Sequence, residues 1–346
     1  MGETMNWLKK NNEVILLPLL FVVITVAHKL GWVNNYFMQI LMLGGINVIM
    51  TESLNLINGF TGQSSLGHAG FMAVGAYVSA LFTKVLFNVS KMNDAAQVGM
   101  FLLATLMGGI AAGIFGYIIG VPSLRLKGDY LAIVTLGFGE VIRSIIRITP
   151  IVGKAFGLTG IPKLCNFFWV YVFVVIVIYA CRNFMDSSYG RACMAIRDNE
   201  IAADTIGIDV AKYKIISFVC SAFVAGIAGS LYAHVMRYLH PDVFAYTKST
   251  DYLVYLYAGG VGSISGSFLG GFILTALPEL LRALAEWRLV IYGALLVCII
   301  LFRPTGMFGG YEFAFLKVKT GGIKLIGLTN LGDLFKKNKK AQEAAK

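Results

Sequence analysis

Charge is what this 346-residue sequence has least of: Asp, Glu, Lys and Arg together make up 14% of it, against about 25% in soluble domains. A soluble chain of this length has to cover a large water-facing surface with charge, so a soluble enzyme, a disordered chain and a nucleic-acid binder are all excluded. Cysteine is scarce too. The five thiols are odd in number and form no C-x-x-C pair, which excludes a disulfide scaffold and a thiol-based metal or redox motif. Cys165, Cys181, Cys193, Cys220 and Cys298 lie mostly in apolar runs and read as small core residues. The sequence lacks H-E-x-x-H, G-x-S-x-G and any His/Cys cluster, so no catalytic constellation and no metal site is visible. Its nearest approach to a phosphate-binding loop is Gly153-Lys154, followed by Ala155 where Ser or Thr would hold magnesium. The chain therefore binds no nucleotide by that motif.

What is present is hydrocarbon. Hydrophobic residues make up 57% of the chain and the mean hydropathy is +0.74, so most of it is expected to face lipid. The net charge of +11 is compatible with nucleic acid or an anionic membrane surface, and its placement favours the membrane. Eight lysines lie between Lys317 and Lys346, in an amphipathic stretch that directly follows a hydrophobic run. Lys9 and Lys10 ahead of Val14 to Ala27 resemble the start of a signal peptide, but no small-x-small cleavage site follows. That run reads as a span that is retained.

A helix needs about 20 apolar residues to cross a bilayer. Ten candidates meet or approach this: Val14 to Trp32, Phe37 to Ile57, Gly67 to Phe87, Gln97 to Val121, Asp129 to Ile148, Phe167 to Cys181, Tyr213 to Met236, Asp251 to Val261, Ser267 to Leu284 and Leu289 to Phe302. The fifth carries Glu140, Arg143 and Arg147, and the eighth is short, so these two are expected to be tilted, broken or partly interfacial. With the N-terminus in the cytoplasm, 18 of the 29 Lys and Arg fall on that side, a bias owed to the tail lysines. The expectation is an all-α polytopic membrane protein, with a transmembrane domain over 1–310 and a basic cytoplasmic tail over 311–346.

The longest polar interruption runs over 182–212. Gly190 and Gly207 bracket a helix-compatible segment in which Ala192, Ala195, Ile196, Ala202, Ala203 and Ile206 alternate with Arg191, Arg197, Asp198, Asn199, Glu200 and Asp204. It reads either as an interfacial helix anchoring the loop or as a docking helix for a soluble partner.

Two further stretches are rich in glycine and hydroxyl groups where lipid should be. The first, Asn55 to Phe71, carries Thr61, Gly62, Gln63, Ser64, Ser65, Gly67 and His68. The second, Gly259 to Phe272, begins with Gly259, Gly260, Gly262 and Ser263. Their common G-x-x-G…S…G…GF rhythm suggests an internal repeat. Both read as helix interruptions, which at membrane depth are tolerated only where protein or a water-filled cavity satisfies the freed backbone groups. The residues named in these two stretches, with Asn55, are therefore the candidate substrate pathway, while Gly108, Gly109, Gly113 and Gly116 read as a packing stripe. Glu140 and Arg143, three residues apart on one helix, are expected to pair.

Five blocks of sequence resemble the permease subunits of branched-chain amino acid ABC importers: Leu54 to Tyr77, Leu124 to Arg143, Gly190 to Asp209, the run beginning at Gly259, and Arg303 to Gly309. Ala202, Ala203 and Gly207 match the Ala-Ala-x-x-x-Gly part of the importer coupling motif, whose glutamate position is Ile201 here. The resemblance implies the ten-helix architecture of the large (type II-like) importers and a multi-pass bacterial inner-membrane location. It also implies cytoplasmic coupling through Gly190, Arg191, Ala195, Arg197, Asp198, Asn199, Ala202, Ala203 and Gly207. The implied partners are two ATPase subunits that bind the ATP, a second related permease and a soluble substrate-binding protein. A permease for urea or short amides shares these motifs, and a gradient-driven secondary transporter would also use Glu52, Glu140 and broken helices.

Overall fold

The computed structural model describes residues 34–302 apart from 88, 90–92, 124–129 and 282–286, together with a few isolated positions nearer the termini. The expected first span at 14–32 lies largely outside the described residues, as does the basic tail at 311–346. Phe21, one of the isolated positions, stacks on Phe167 and touches Phe168 and Tyr171.

Apolar runs without internal breakers become helices, because in lipid each backbone N–H must bond within its own segment. The order is α1 (Asn35–Leu54), α2 (His68–Leu81), α3 (Asp94–Ser123), α4 (Tyr130–Ile148), α5 (Phe167–Asp186), α6 (Ser188–Asp198), α7 (Glu200–Thr205), α8 (Val210–Met236), α9 (Tyr246–Gly259), α10 (Ile264–Leu280) and α11 (Arg288–Phe302). One π-helical turn extends α1 over Asn55–Gly59, and another extends α2 over Phe82–Leu86. With these turns included, five helices are long and apolar enough to cross a membrane: Asn35–Gly59, His68–Leu86, Asp94–Ser123, Phe167–Asp186 and Val210–Met236. The 14 residues of α9 confirm that the eighth span is short. The charged α4 is a helix of 19 residues.

Among the described residues the only strand-like pairing is the isolated bridge between Leu158 and Leu239. It belongs to one end of the bundle. There the turns 149–166 and 237–245 meet, and Lys84 Nζ and Tyr238 Oη donate to the carbonyls of Thr159 and Phe156. At the opposite end lie the interruptions after α1 and α9 and the hairpin α6–α7.

Helix α8 is the hub, packed by α1, α2 and α3. Backbones come together there because side chains are missing. A Cβ on Gly75 would stand 2.2 Å from the Gly226 carbonyl oxygen, and one on Gly226 would stand 2.7 Å from the Gly108 carbonyl oxygen. Gly109 and Gly116 likewise press on Phe223 and Ala222. The packing stripe read from sequence is thus real, and it uses close approach where lipid offers no hydrophobic drive for helix association. Serines add polar contacts, with Ser230 Oγ donating to the Gly75 carbonyl at 3.1 Å.

Two sequence expectations need correction. The segment between Gly190 and Gly207 is not one helix: it forms two short helices broken at Asn199, whose side chain accepts from the Ala202 N–H and caps the second, while α5 runs on to Asp186 and α8 begins at Val210. Cys298 is exposed rather than a core residue, whereas Cys165, Cys181 and Cys193 are buried.

Candidate functional site

The first interruption begins where the π-turn ends at Gly59. Thr61 turns its hydroxyl back to the Leu56 carbonyl at 2.8 Å, Gly62 takes a positive φ of +70°, and the chain then runs without regular secondary structure to Gly67. It does not stay at the bundle end. His68, the first residue of α2, places Nε2 2.7 Å from Ser221 Oγ, and Ser221 lies eleven residues into α8. At about 1.5 Å per residue that is roughly 16 Å in from the start of α8. Residues 62–67 therefore carry the chain into the interior, and α2 starts inside protein.

The buried start is held by polar groups. Ser65 N–H donates to Asn58 Oδ1, Ser65 Oγ meets His68 Nδ1 at 3.1 Å, and Ser249 Oγ accepts from the Ala69 N–H at 2.9 Å. Leu66 N–H donates to Thr135 Oγ1 on α4, and a Cβ on Gly67 would lie 2.3 Å from the Thr135 carbonyl oxygen. His68 is therefore a buried bridge between Ser65 and Ser221. Gln63 is 5% exposed, and its side-chain amide oxygen and nitrogen have no hydrogen-bond partner. Ser64 is partly exposed, and Gly62 is exposed but abuts the Arg197 side chain.

The second interruption repeats the backbone requirement in shorter form. Helix α9 ends at Gly259, Gly260 and Gly262 take φ of +138° and +74°, and Ser263 caps α10 by accepting from the Gly266 N–H. Gly59 with Gly62, and Gly259 with Gly262, thus place the helix end and the left-handed residue three positions apart. This is the physical content of the shared glycine rhythm.

The two interruptions touch. Asn55 Oδ1 accepts from the Gly262 N–H at 2.9 Å, while Asn55 Nδ2 donates to the Ser263 carbonyl and to Ser267 Oγ, each at 3.1 Å. Ser267 Oγ in turn lies 2.8 Å from Glu52 Oε1, and the other carboxylate oxygen of this fully buried side chain has no partner. Gly59 fits against this junction because it has no side chain: its Cβ would fall 2.6 Å from the Gly262 nitrogen. From the far end of the chain, Gly306 packs on Gly260 and the Met307 N–H donates to the Ala258 carbonyl. Described residues of all five conspicuous sequence blocks therefore pack around the two interruptions.

The α6–α7 hairpin lies beneath this junction. Gly190 is buried against the backbone of Phe184 and Met185, where a Cβ would sit 2.4 Å from the Met185 Cα. Gly207 ends α7 at φ +87°. Ala203 and Cys193 are buried, and burial pushes the Cys193 thiol up to about 11. Ala195 is partly buried, whereas Arg191, Asp198, Asn199 and Ala202 are exposed. Arg197 faces inward and its Nη1 donates to the Gly59 carbonyl at 3.2 Å. The most prominent outward groups are Ile201, 81% exposed, and Ile206, 75% exposed. Ile201 stands where the coupling motif carries its glutamate, and its apolar character amid polar neighbours is the signal of its outward role in the sequence.

At the opposite bundle end, the expected Glu140–Arg143 pair forms at 2.6 Å and extends further than its spacing implied. Arg143 also reaches Asp242 at 2.8 Å, Arg147 pairs with the same carboxylate, and Glu140 Oε1 accepts from the Tyr246 N–H at the start of α9. The hydrogen bond from Arg143, followed by that from Arg147, holds the Asp242 carboxyl below its ordinary range. A cavity of about 620 Å³ opens between α3, α5 and α8, lined by Ile110, Ile114, Phe184, Val219 and Phe223 among others. Its lining is apolar and includes Leu56 of the π-turn that leads into the first interruption. No metal-holding group of His, Cys, Asp and Glu occurs among the described residues.

Long apolar helices, backbone-close packing and an interrupted-helix junction at one bundle end define an all-α membrane protein of permease type. The family model described as the permease component of the branched-chain amino acid transport system matches residues 36–300, and the chain belongs to that family. It is 31% identical over 343 residues to the high-affinity branched-chain amino acid transport system permease protein LivM of Escherichia coli, covering 88% of this chain and 78% of the relative. It is 24% identical to a probable LivM of Methanocaldococcus jannaschii, covering 78% and 92%. To the LivH permease of Salmonella typhimurium the identity is 24%, covering 80% and 97%. No solved structure matches the chain.

Proposed function

We propose that this chain is one membrane-spanning permease subunit of an ATP-driven importer that moves branched-chain amino acids across the inner membrane of a bacterium. In this reading ten helices span the bilayer and both termini lie in the cytoplasm. The chain pairs with a second, related permease, stands over two ATPase subunits that bind the ATP, and receives substrate from a soluble binding protein. The two helix interruptions form part of the substrate pathway, opened and closed by movement of the α6–α7 hairpin.

The observation that carries the reading is the hairpin itself. A solvated turn would be expected to project polar groups, yet here Ile201 and Ile206 project from a surface that also exposes Glu200 and Asp204, at the bundle end where both interruptions lie. Exposed aliphatic side chains rimmed by charge fit a cleft on a partner protein. Burying two isoleucines there is worth roughly 1.5–3 kcal/mol each. The double substitution Ile201→Glu with Ile206→Glu is therefore expected to reduce the ATPase co-purifying with the chain by at least about tenfold, while leaving its detergent melting temperature unchanged. Undiminished ATPase retention in that variant would refute the coupling assignment. Uptake driven by a proton or sodium gradient in vesicles free of ATPase would refute the importer reading as a whole.

A further inference from the structure

Helices α1 and α9 both terminate at the junction, at Gly59 through the π-turn and at Gly259. Their last carbonyls carry the negative ends of two helix dipoles, each equivalent to about half an elementary charge. Such ends require donors or a cation. The nearby cation comes from the α6–α7 hairpin. Arg197 Nη1 donates to the Gly59 carbonyl at 3.2 Å. The aliphatic stem of the same side chain fills the space left at Gly62, where a Cβ would come within 2.9 Å of Arg197 Cγ. A Cβ on Gly262 would meet Arg197 Nη1 at 3.3 Å. One side chain therefore touches both interruptions.

Arg197 is also held in its pose. Asp198 takes Nε at 3.1 Å and Nη2 at 2.9 Å through one oxygen, leaving Nη1 directed at the junction. Asp198 itself is 63% exposed and Arg197 only 24%. The guanidinium thus points into the bundle, while the carboxylate that orients it stays on the outside of the hairpin. Asn55 completes the arrangement by tying the first interruption to the second, so displacement of Arg197 acts on two bonded elements together.

We infer that Arg197 is the transmission residue of the importer: a positioning side chain, oriented by Asp198, through which movement of the α6–α7 hairpin reaches both helix interruptions at once. It does not contribute to the ATPase-facing surface, which is formed by Ile201 and Ile206. This inference rests on the importer reading above. Its signature is loss of coupling rather than loss of assembly, because removal of the side chain leaves the docking turn intact.

The test uses the complete transporter, purified with its ATPase subunits and reconstituted in liposomes, with substrate uptake and ATP hydrolysis measured on the same preparation. Arg197→Ala is expected to retain wild-type amounts of ATPase and to hydrolyse ATP, while uptake per ATP falls by about tenfold or more, within the range of measured coupling energies. Arg197→Lys keeps a cation at the Gly59 carbonyl without the two-point hold on Asp198, and is expected to recover part of the loss. Asp198→Asn, at an exposed position, is expected to lower uptake per ATP several-fold with an unchanged melting temperature. If Arg197→Ala does not accumulate, Asp198→Asn decides alone, and unchanged coupling in it overturns the inference. Uptake that falls only in step with bound ATPase also overturns it, since Arg197 would then be a docking residue. A wild-type chain that retains no ATPase overturns the importer reading and this inference with it.

Discussion

Replacing Asn55 by leucine is expected to abolish substrate uptake and to lower the melting temperature of the detergent-solubilised protein by several degrees. The side chain makes three hydrogen bonds to the second interruption, to Gly262, Ser263 and Ser267, and none of these partners lies on its own helix. Leucine would leave the part-buried Gly262 N–H without its acceptor and remove one donor from Ser267 Oγ and from the Ser263 carbonyl, which keeps the Ser267 N–H and hydroxyl. A polar group left unpaired in this way costs about 1–3 kcal/mol, within the ordinary range of destabilising single substitutions. Asn55→Asp keeps the acceptor for Gly262 and loses both donors, so its effect is expected to be intermediate. Uptake by Asn55→Leu at the wild-type rate, measured in vesicles normalised for chain content, would show that the two interruptions work independently.

The second large effect is on folding. Gly75→Val is expected to prevent accumulation of the protein in the membrane, because any side chain at this position meets backbone rather than a movable side chain. The Cβ would lie 2.2 Å from the carbonyl oxygen and 2.4 Å from the Cα of Gly226 on the hub helix α8. Relief would require α2 and α8 to separate, breaking the Ser230 bond to the Gly75 carbonyl. Overpacking in a core costs about 1–3 kcal/mol when side chains yield, and the cost is higher where only helices can. Gly137→Ala provides the control: nothing lies within 4 Å of a Cβ there, and normal accumulation is expected. Wild-type yield and melting behaviour for Gly75→Val would contradict the close-packed crossing.

These two sites differ in how far the sequence announced them. Most helix ends of the described spans lie within a few residues of the apolar runs, as with Asp129 to Ile148 against Tyr130–Ile148 and Tyr213 to Met236 against Val210–Met236. The interruptions were legible because glycine and hydroxyl residues cluster against a uniformly apolar background. The Glu140–Arg143 pair was legible because its spacing lies within one helix. Asp242, nearly a hundred residues away, carried no such local sign, and neither did the two-helix break at Asn199.

The sequence by itself determined that the chain lives in a membrane, where its helices run and where two of them are interrupted, because hydropathy and backbone breaking are local properties of residues. Its five blocks also sufficed to indicate the permease family. Only the tertiary structure decided that the two interruptions meet, that α2 begins inside the protein, and that Arg197 faces inward while Ile201 faces out. The reason is physical. In a chain apolar on nearly every face, hydropathy does not distinguish an outward-facing residue such as Ile118, 58% exposed, from a buried one such as Phe101. Facing is then set by close backbone approach and by hydrogen bonds between residues about two hundred positions apart, and neither leaves a period in the sequence.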